Sequence, residues 1–153
     1  MHIAVGSDEA TALTDRVVHW LKERGWEVSP YGALAGGNEA WPEVGYQVAA
    51  KVAGGECEEG ILFCWTGTGV SIAANKVPGI RAALCTDAAT AQGARRWNHA
   101  NVLVISLRLT SLAVAEEILE AWFSTPYGGG DDALNVARIA QLEAQHRNQP
   151  ATA

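Results

Sequence analysis

The stretch from Glu59 to Lys76, which reads EGILFCWTGTGVSIAANK, decides the fold of this chain. It opens with a continuous apolar run, Ile61 to Trp65, of a length typical of a fully buried strand in a parallel sheet. The chain then turns through Thr66 to Gly69 and enters an Ala-rich helical segment. Two glycines two positions apart permit a tight turn and a close approach of a ligand to backbone N–H groups. The stretch therefore predicts a strand–loop–helix unit with a ligand-binding loop.

Cys64 lies at the end of this predicted strand, directly before the loop. A helix N-terminus beside a thiol favours the thiolate, so Cys64 is suited to act as a base or a nucleophile. Buried cysteines are also commonly inert apolar side chains, and the residue types alone leave both interpretations open. The loop has neither the GK[ST] of a P-loop nor the GxGxxG fingerprint of dinucleotide-binding proteins.

Composition limits the function classes. The chain of 153 residues is long enough for one domain with a sizeable core, and 48% hydrophobic with 18% charged residues is typical of a globular protein. A net charge of −6 gives no basic surface for nucleic acid. With no signal-peptide pattern and no apolar run that could span a bilayer, we expect a soluble, cytoplasmic protein without membrane contact. The three cysteines are odd in number and lack metal-type spacing, so neither disulfides nor a zinc site is predicted.

Strands and helices alternate along the whole chain. Strict alternation predicts a three-layer, Rossmann-like α/β fold with a five-stranded parallel sheet. We expect residues 1–148 to form a single domain, and residues 149–153 to be a frayed tail. The predicted strands are His2–Val5, Trp26–Tyr31, Gly60–Cys64, Ile80–Cys85 and Asn101–Ser106.

The C-terminal region begins with the triglycine Gly128–Gly130, which predicts a hinge because glycine is conformationally free. It is followed by a predicted helix, Asp131 to Gln145, with Val136, Ile139 and Leu142 on one face. An apolar face on a helix that leaves the domain body needs burial. We therefore expect a homodimer in which the C-terminal segment packs on the partner chain and reaches its pocket.

Ligands of parallel α/β sheets bind outside the carboxyl ends of the strands. Four segments are predicted to converge there: Asp8-Glu9, Cys64 to Gly69, Thr86-Asp87, and the end of the fifth strand near Arg108.

With these residues assembled, the chain resembles the ribose-5-phosphate isomerase B family, which includes the galactose-6-phosphate isomerase subunits. The resemblance covers nearly the whole chain and is carried by GILFCWTGTGVSIAANKVPGIRAALC, WNHANVLVISLR and AWFSTPYGGG. It implies a Rossmann-like fold, a homodimer or dimer of dimers, and neither metal nor cofactor. It also implies aldose–ketose isomerisation of a small sugar through an enediol or enediolate.

The resemblance also assigns roles to individual residues. Cys64 falls on the base of the cysteine-type members, and Thr66 falls on the loop whose donors hold the oxyanion. Asp8 falls on the residue that contacts sugar hydroxyls, and Asn98 falls on an asparagine that lines the pocket. The predicted catalytic residues are thus Cys64 and Thr66, and the predicted substrate-binding residues are Asp8, Glu9, Trp41, Trp65, Gly67, Gly69, Ser71, Trp97, Asn98, Arg108 and Asp132.

The departures from the family pattern concern ring opening and phosphate binding. The ring-opening histidine falls on Trp97, with His99 two positions further as a possible substitute, and the histidine after Asp8 is replaced by Glu9. The arginine–histidine pair after the glycines falls on Asp131-Asp132, and a further arginine falls on Asn135. Of the phosphate-facing cations only Arg108 remains. Three tryptophans, Trp41, Trp65 and Trp97, fall where tyrosine, glycine and histidine are common.

These departures leave several hypotheses. The favoured one is an active isomerase for a sugar that is not phosphorylated or is bound atypically, because carboxylates and indole faces suit a neutral sugar better than a phosphate. The alternatives are a ribose-5-phosphate isomerase with other phosphate ligands, and a non-catalytic sugar-binding relative. A carboxylate metal site built from Asp8, Glu9 and Asp131-Asp132 has no ligand spacing in its favour.

Overall fold

The structure, a computed structural model, describes residues 1–147; the predicted tail at 149–153, and Asn148 at the predicted domain end, lie outside the described residues. Strands and helices alternate as predicted. In chain order the elements are β1 (His2–Ser7), α1 (Ala12–Glu23), β2 (Glu27–Gly32), α2 (Trp41–Ala53), β3 (Glu59–Cys64), α3 (Thr68–Ala74), β4 (Ala82–Leu84), α4 (Ala88–Asn98), β5 (Val102–Ser106), α5 (Leu112–Ser124) and α6 (Asp131–Arg147).

The five strands form one parallel sheet in the order β2-β1-β3-β5-β4. β1 and β3 are hydrogen-bonded neighbours, with Ser7 opposite Phe63, and Cys64 is opposite Ser106 on β5. The chain leaves β1 towards β2 on one side and later returns to build β3 on the other. The gap between the carboxyl ends of β1 and β3 is therefore the topological switch point, where sheets of this kind bind ligands.

Helices cover both faces of the sheet, which confirms the predicted three layers. On one face α1, α4 and α5 bury a core that includes Val17, Phe63 and Trp122. On the other face α2 and α3 pack through Val48 and Val70 against Leu62, Val104 and Cys64. β3 is buried along its whole length, as its continuous apolar run predicted.

Local signals explain where the helices begin. Thr11 caps α1 in a capping box with Thr14, and the Asp87 carboxylate accepts the Thr90 N–H at the start of α4. Pro42 occupies the first turn of α2, where the missing N–H has no cost.

β4 is shorter than predicted, because it covers three residues instead of the segment from Ile80 to Cys85. The Arg81 N–H is taken by the Asn101 side chain at 2.8 Å, so the ladder with β5 begins only at Ala82. The Gly-rich loop after β2 also contains a short 3-10 turn, Ala33–Ala35, that sequence reasoning did not predict.

The predicted C-terminal helix is present as α6 and lies against α4, and none of its described residues is buried. Leu134, Ile139 and Leu142 are 69%, 48% and 43% exposed within the single chain. Glu143 anchors the helix by accepting the Gly79 N–H. Within residues 1–147 no helix is both long enough and apolar enough to cross a bilayer.

Candidate active site

The site is built on the switch point between β1 and β3. Asp8 and Glu9 follow β1 directly and are exposed, while Cys64 ends β3. The Ser7 hydroxyl donates to the Glu9 carbonyl at 2.6 Å and accepts the Glu9 N–H at 3.2 Å. This small turn holds the two carboxylates at the carboxyl end of the sheet, just after β1, the strand that pairs with β3.

The Cys64 thiol is held by the loop that follows it. The Gly67 N–H donates to Cys64 Sγ at 3.2 Å, and the cysteine is 6% exposed. Gly67 adopts φ +81°, and a Cβ at that position would lie 2.5 Å from Leu84 Cδ1. Only glycine fits this conformation and this space without displacement. The backbone donor thus fixes the sulfur against the loop that follows the strand.

The loop that follows Cys64 carries two hydroxyls. Thr66 Oγ1 and Thr68 Oγ1 lie 2.8 Å apart, and both residues are exposed. The first intrahelical bond of α3 runs from the Ser71 N–H to the Gly67 carbonyl, so the N–H groups of Thr68 and Gly69 have no helical partner. The loop thus presents hydroxyl and backbone donors within one turn of Cys64.

Trp41 packs on this loop. Its ring atoms would lie 3.0 to 3.2 Å from a Cβ at Gly69, so the indole covers the Gly69 backbone. α2, which begins with Trp41, packs closely on α3 at Gly45, where a Cβ would lie 3.0 Å from the Ala73 methyl group. Trp41 therefore supports the loop, while 42% of its surface stays exposed at the edge of the site.

Trp65, the residue after Cys64, is bonded through its backbone to the segment that contains Arg108. The Trp65 carbonyl accepts both the Ser106 hydroxyl at 3.0 Å and the Arg108 N–H at 2.9 Å. The Trp65 side chain is 57% exposed. Arg108 is exposed, and its guanidinium makes no ion pair with any residue in the described part of the chain.

Three predicted site residues lie at the opposite end of the sheet. α4 runs back from the carboxyl end of β4, so that Trp97 and Asn98 lie in its last turn, towards the amino ends of the strands, and the Trp97 ring folds back over Gly93. There Asn98 lines a cavity of about 670 Å³ together with Ala82 and Leu142. Asp132 lies in the first turn of α6, beside Gly128, whose N–H donates to the Arg96 carbonyl. Within one chain these residues are not brought together with Cys64.

A buried ion pair connects α4, the helix that carries Trp97 and Asn98, to β3. Arg95 on α4 contacts Glu59 at 2.6 Å, with side-chain exposures of 12% and 10%. The Trp122 indole N–H donates to the same carboxylate, and the Arg95 guanidinium lies over the Trp122 and Tyr127 rings. Burial raises the pKa of Glu59, and the Arg95 charge only partly opposes that rise. His99 stacks on Tyr127 and bonds to the Gly128 carbonyl at 2.7 Å.

Sequence reasoning overlooked three participants in this architecture. Thr68 was not assigned a role, although a Thr-Gly-Thr pattern around a left-handed glycine places two hydroxyls together. Ser106, a polar residue ending an apolar strand, fixes the Trp65 carbonyl. The Glu59–Arg95 pair had no local signal, because the two residues are far apart in sequence. Among residues 1–147 no three His, Cys, Asp or Glu side chains come together as a metal-binding group.

A parallel sheet with this strand order, a thiol at its switch point and a donor-rich loop make the chain an α/β protein with a candidate ligand site at the carboxyl end of the sheet. The Ribose/Galactose Isomerase family model matches residues 3–140, and the chain belongs to that family. The resemblance stated from the sequence is therefore confirmed.

Several relatives and solved structures match this chain along nearly its full length. The chain is 38% identical to D-erythrulose-4-phosphate isomerase of Pectobacterium atrosepticum, covering 97% of this chain and 99% of that protein. It is 42% identical to ribose-5-phosphate isomerase B of Escherichia coli, covering 95% and 98%. The structure of ribose-5-phosphate isomerase B of Clostridium thermocellum superposes with a TM-score of 0.89 at 41% identity, covering 95% and 99%.

Proposed function

We propose that this sugar isomerase acts on a phosphorylated sugar and uses Cys64 as the base that moves a proton between the two reacting carbons. The observation that carries the proposal is the position of Cys64 Sγ at the switch point, with the Gly67 N–H donating to it at 3.2 Å. A thiolate held in this way accepts the proton from the carbon next to the carbonyl. It returns the proton to the neighbouring carbon, so one base serves both carbons.

The loop stabilises the charge that develops on oxygen. When the carbon-bound proton leaves, the carbonyl oxygen becomes an enediolate oxygen, and fixed donors lower the energy of that state. The Thr66 hydroxyl and the N–H groups of Thr68 and Gly69 supply such donors, since α3 leaves those N–H groups without helical partners. Asp8, on the neighbouring strand, is placed to accept hydrogen bonds from sugar hydroxyls.

We infer that the preferred substrate is an open-chain sugar phosphate. Within one chain none of the four histidines lies at the carboxyl end of the sheet: His2 and His99 are at the amino end, His19 pairs with Glu23 on α1, and His146 is on α6. His99 would accompany Asn98 into a site shared between two chains, but its ring already bonds to the Gly128 carbonyl and stacks on Tyr127. A four-carbon ketose that carries phosphate on its last oxygen has no free hydroxyl to close a five-membered ring. Such a sugar needs no ring-opening acid, and one relative of similar length is named for D-erythrulose 4-phosphate.

The phosphate is held atypically in this proposal. Arg108 is the exposed guanidinium next to Trp65, while the start of α6 carries Asp131 and Asp132. Arginine suits a phosphate because its planar fork makes two parallel hydrogen bonds. A single arginine with backbone donors is weaker than an arginine pair, so affinity for phosphate is expected to be modest.

A second candidate, supported by the acidic start of α6 and the exposed indoles, is a neutral sugar. The names of the relatives instead support phosphorylated substrates, including ribose 5-phosphate. The decisive experiment measures kcat/KM of the purified chain on D-erythrulose 4-phosphate and ribose 5-phosphate, each beside the same sugar without phosphate. We expect the four-carbon phosphate to be the best substrate. A free sugar with a higher kcat/KM than its own phosphate would establish the neutral-sugar alternative. Absence of turnover with all four sugars would refute the isomerase proposal.

We further propose that the active unit is a homodimer with shared sites. Residues assigned to substrate lie at both ends of one sheet, with Cys64 at one end and Asn98 and Asp132 at the other. A second copy could bring its Asn98 end to the Cys64 end of the first. The uncovered apolar residues of α6, Leu134, Ile139 and Leu142, supply a surface for such a contact.

A further inference from the structure

We infer that Thr68 is a further catalytic residue, which forms with Thr66 a hydroxyl pair that carries a proton between the two oxygens of the substrate. This inference rests on the proposed isomerisation. It adds a second proton path to the carbon-to-carbon transfer at Cys64.

The geometry that supports it is local and specific. Thr66 Oγ1 and Thr68 Oγ1 are 2.8 Å apart, an ordinary distance for an O–H···O hydrogen bond. Either oxygen can be the donor. Gly67, with φ +81°, lies between them, and its N–H donates to the Cys64 sulfur at 3.2 Å, so the hydroxyl pair and the donor to the thiol belong to one short loop. Both threonines are exposed, so a substrate bound over the thiol can reach them.

An aldose–ketose isomerisation moves two protons, not one. From the aldose, the proton on C2 leaves to Cys64 Sγ and is later delivered to C1. The hydroxyl proton on O2 must also leave, because O2 becomes the carbonyl oxygen, and O1 must gain a proton, because it becomes a hydroxyl. Cys64 occupied by the carbon proton cannot perform the second transfer at the same time.

The hydroxyl pair can complete this second transfer without a net change in either threonine. One hydroxyl accepts the O2 proton while it donates its own proton to the other, and the other donates its proton to O1. A hydroxyl has one donor and two acceptor positions, which is what each step requires. The O2–H and Oγ–H bonds break as Oγ–H and O1–H bonds form, and the reverse direction uses the same path. Because the two substrate oxygens sit on adjacent carbons, both can face the pair together.

The test separates the two proton paths. Thr68→Val keeps the shape of the side chain and removes its hydroxyl, while Thr68→Ser keeps a hydroxyl. In D2O, NMR follows both isomerisation and the uptake of deuterium at carbon from the solvent. We expect Thr68→Val to isomerise at least about tenfold more slowly, since positioned proton transfer contributes about 10²–10⁴. Its deuterium uptake should fall much less, so the ratio of exchange to isomerisation rises, and Thr68→Ser should restore both.

Three results would overturn the inference. They are an isomerisation rate of Thr68→Val within about twofold of the wild type, an equal fall in exchange and isomerisation, and a failure of Thr68→Ser to restore the ratio. The melting temperatures of both variants show whether the fold is intact. Failure of the proposed function itself has a different signature, because the wild-type chain would then isomerise no sugar and exchange no carbon-bound hydrogen.

Discussion

The Gly67 N–H donates to the Cys64 sulfur at 3.2 Å, across a turn in which Gly67 adopts the left-handed backbone conformation. This bond connects the end of the buried central strand to the loop that carries the two threonine hydroxyls. The position of the thiol is thus set by the strand, and its donor is set by the loop.

The three cysteines should differ sharply in reactivity. Burial raises the pKa of Cys85 to about 12 and also raises the pKa of Cys57, so both stay protonated at neutral pH. Cys64 has a backbone donor and lies at the carboxyl end of the central strand β3. We expect iodoacetamide at pH 7.5 to label Cys64 first and to abolish activity in parallel, as followed by mass spectrometry. Cys64→Ser should resist labelling, and earlier labelling of Cys57 or Cys85 would contradict this assignment.

Gly67→Ala should damage the site more than a matched change elsewhere. A Cβ at Gly67 would meet Leu84 at 2.5 Å in addition to the strain of its positive φ. Gly25 has φ +73° but nothing within 4 Å of its Cβ position. Left-handed strain costs about 1–2 kcal/mol, so Gly25→Ala should lose about that much stability and keep its activity. Gly67→Ala should lose more stability and most of its kcat.

Thermal melting and steady-state kinetics on the two glycine variants check this prediction. Equal kcat values for Gly25→Ala and Gly67→Ala would mean that the Gly67 turn does not position the thiol.

The shared-site dimer predicts complementation between two inactive variants. Cys64→Ala removes the base at one end of the sheet, and Asn98→Ala removes a residue at the other. A mixed dimer then contains one site with both changes and one site with neither. After unfolding and refolding of an equal mixture, about one quarter of wild-type activity should return.

Sedimentation velocity on the same mixture establishes whether dimers form. A monomer at micromolar concentration, or a mixture no more active than its two components, would rule out a shared site.

The buried Glu59–Arg95 pair predicts a pH-dependent stability. Burial raises the pKa of Glu59, so its contribution to stability is present below its ordinary pKa of 4.5 and is lost as pH rises through the higher folded value. Arg95→Met removes the compensating cation and raises that pKa further. We expect a loss of about 3–5 kcal/mol at pH 7 and a smaller loss at pH 5.

The double variant Glu59→Gln with Arg95→Met is the matched control, because it leaves no buried charge. Its stability, from urea unfolding, should lie closer to the wild type and should vary little between the two pH values. A loss for Arg95→Met that is the same at both pH values would contradict this account.

Much of this architecture could be predicted because it is encoded locally. The apolar run before Cys64 requires a buried strand, and Pro42 and Asp87 mark helix starts by backbone chemistry. The shortened β4 could not be predicted, because the N–H of Arg81, just before the strand, donates to Asn101, twenty residues further along the chain.

The site was predictable as a set of residues but not as one place. Sequence reasoning placed Trp97 beside Cys64 and expected the C-terminal segment, which carries Asp132, to reach the pocket of a partner chain. Within one chain, helices that run back along the sheet put both residues away from Cys64. Which end a helical residue reaches depends on helix length and direction across the sheet. The resemblance alone carried no information about that geometry.

The central claim, that Cys64 moves the carbon-bound proton, is tested most directly by one comparison in D2O. Wild type and Cys64→Ala are given D-erythrulose 4-phosphate, or the best substrate of the panel, and NMR follows deuterium entering the carbons next to the carbonyl. We predict that the wild type isomerises the sugar with deuterium uptake, and that folded Cys64→Ala loses about two to four orders of magnitude in both rates. A Cys64→Ala variant that exchanges and isomerises at near the wild-type rate would contradict the account.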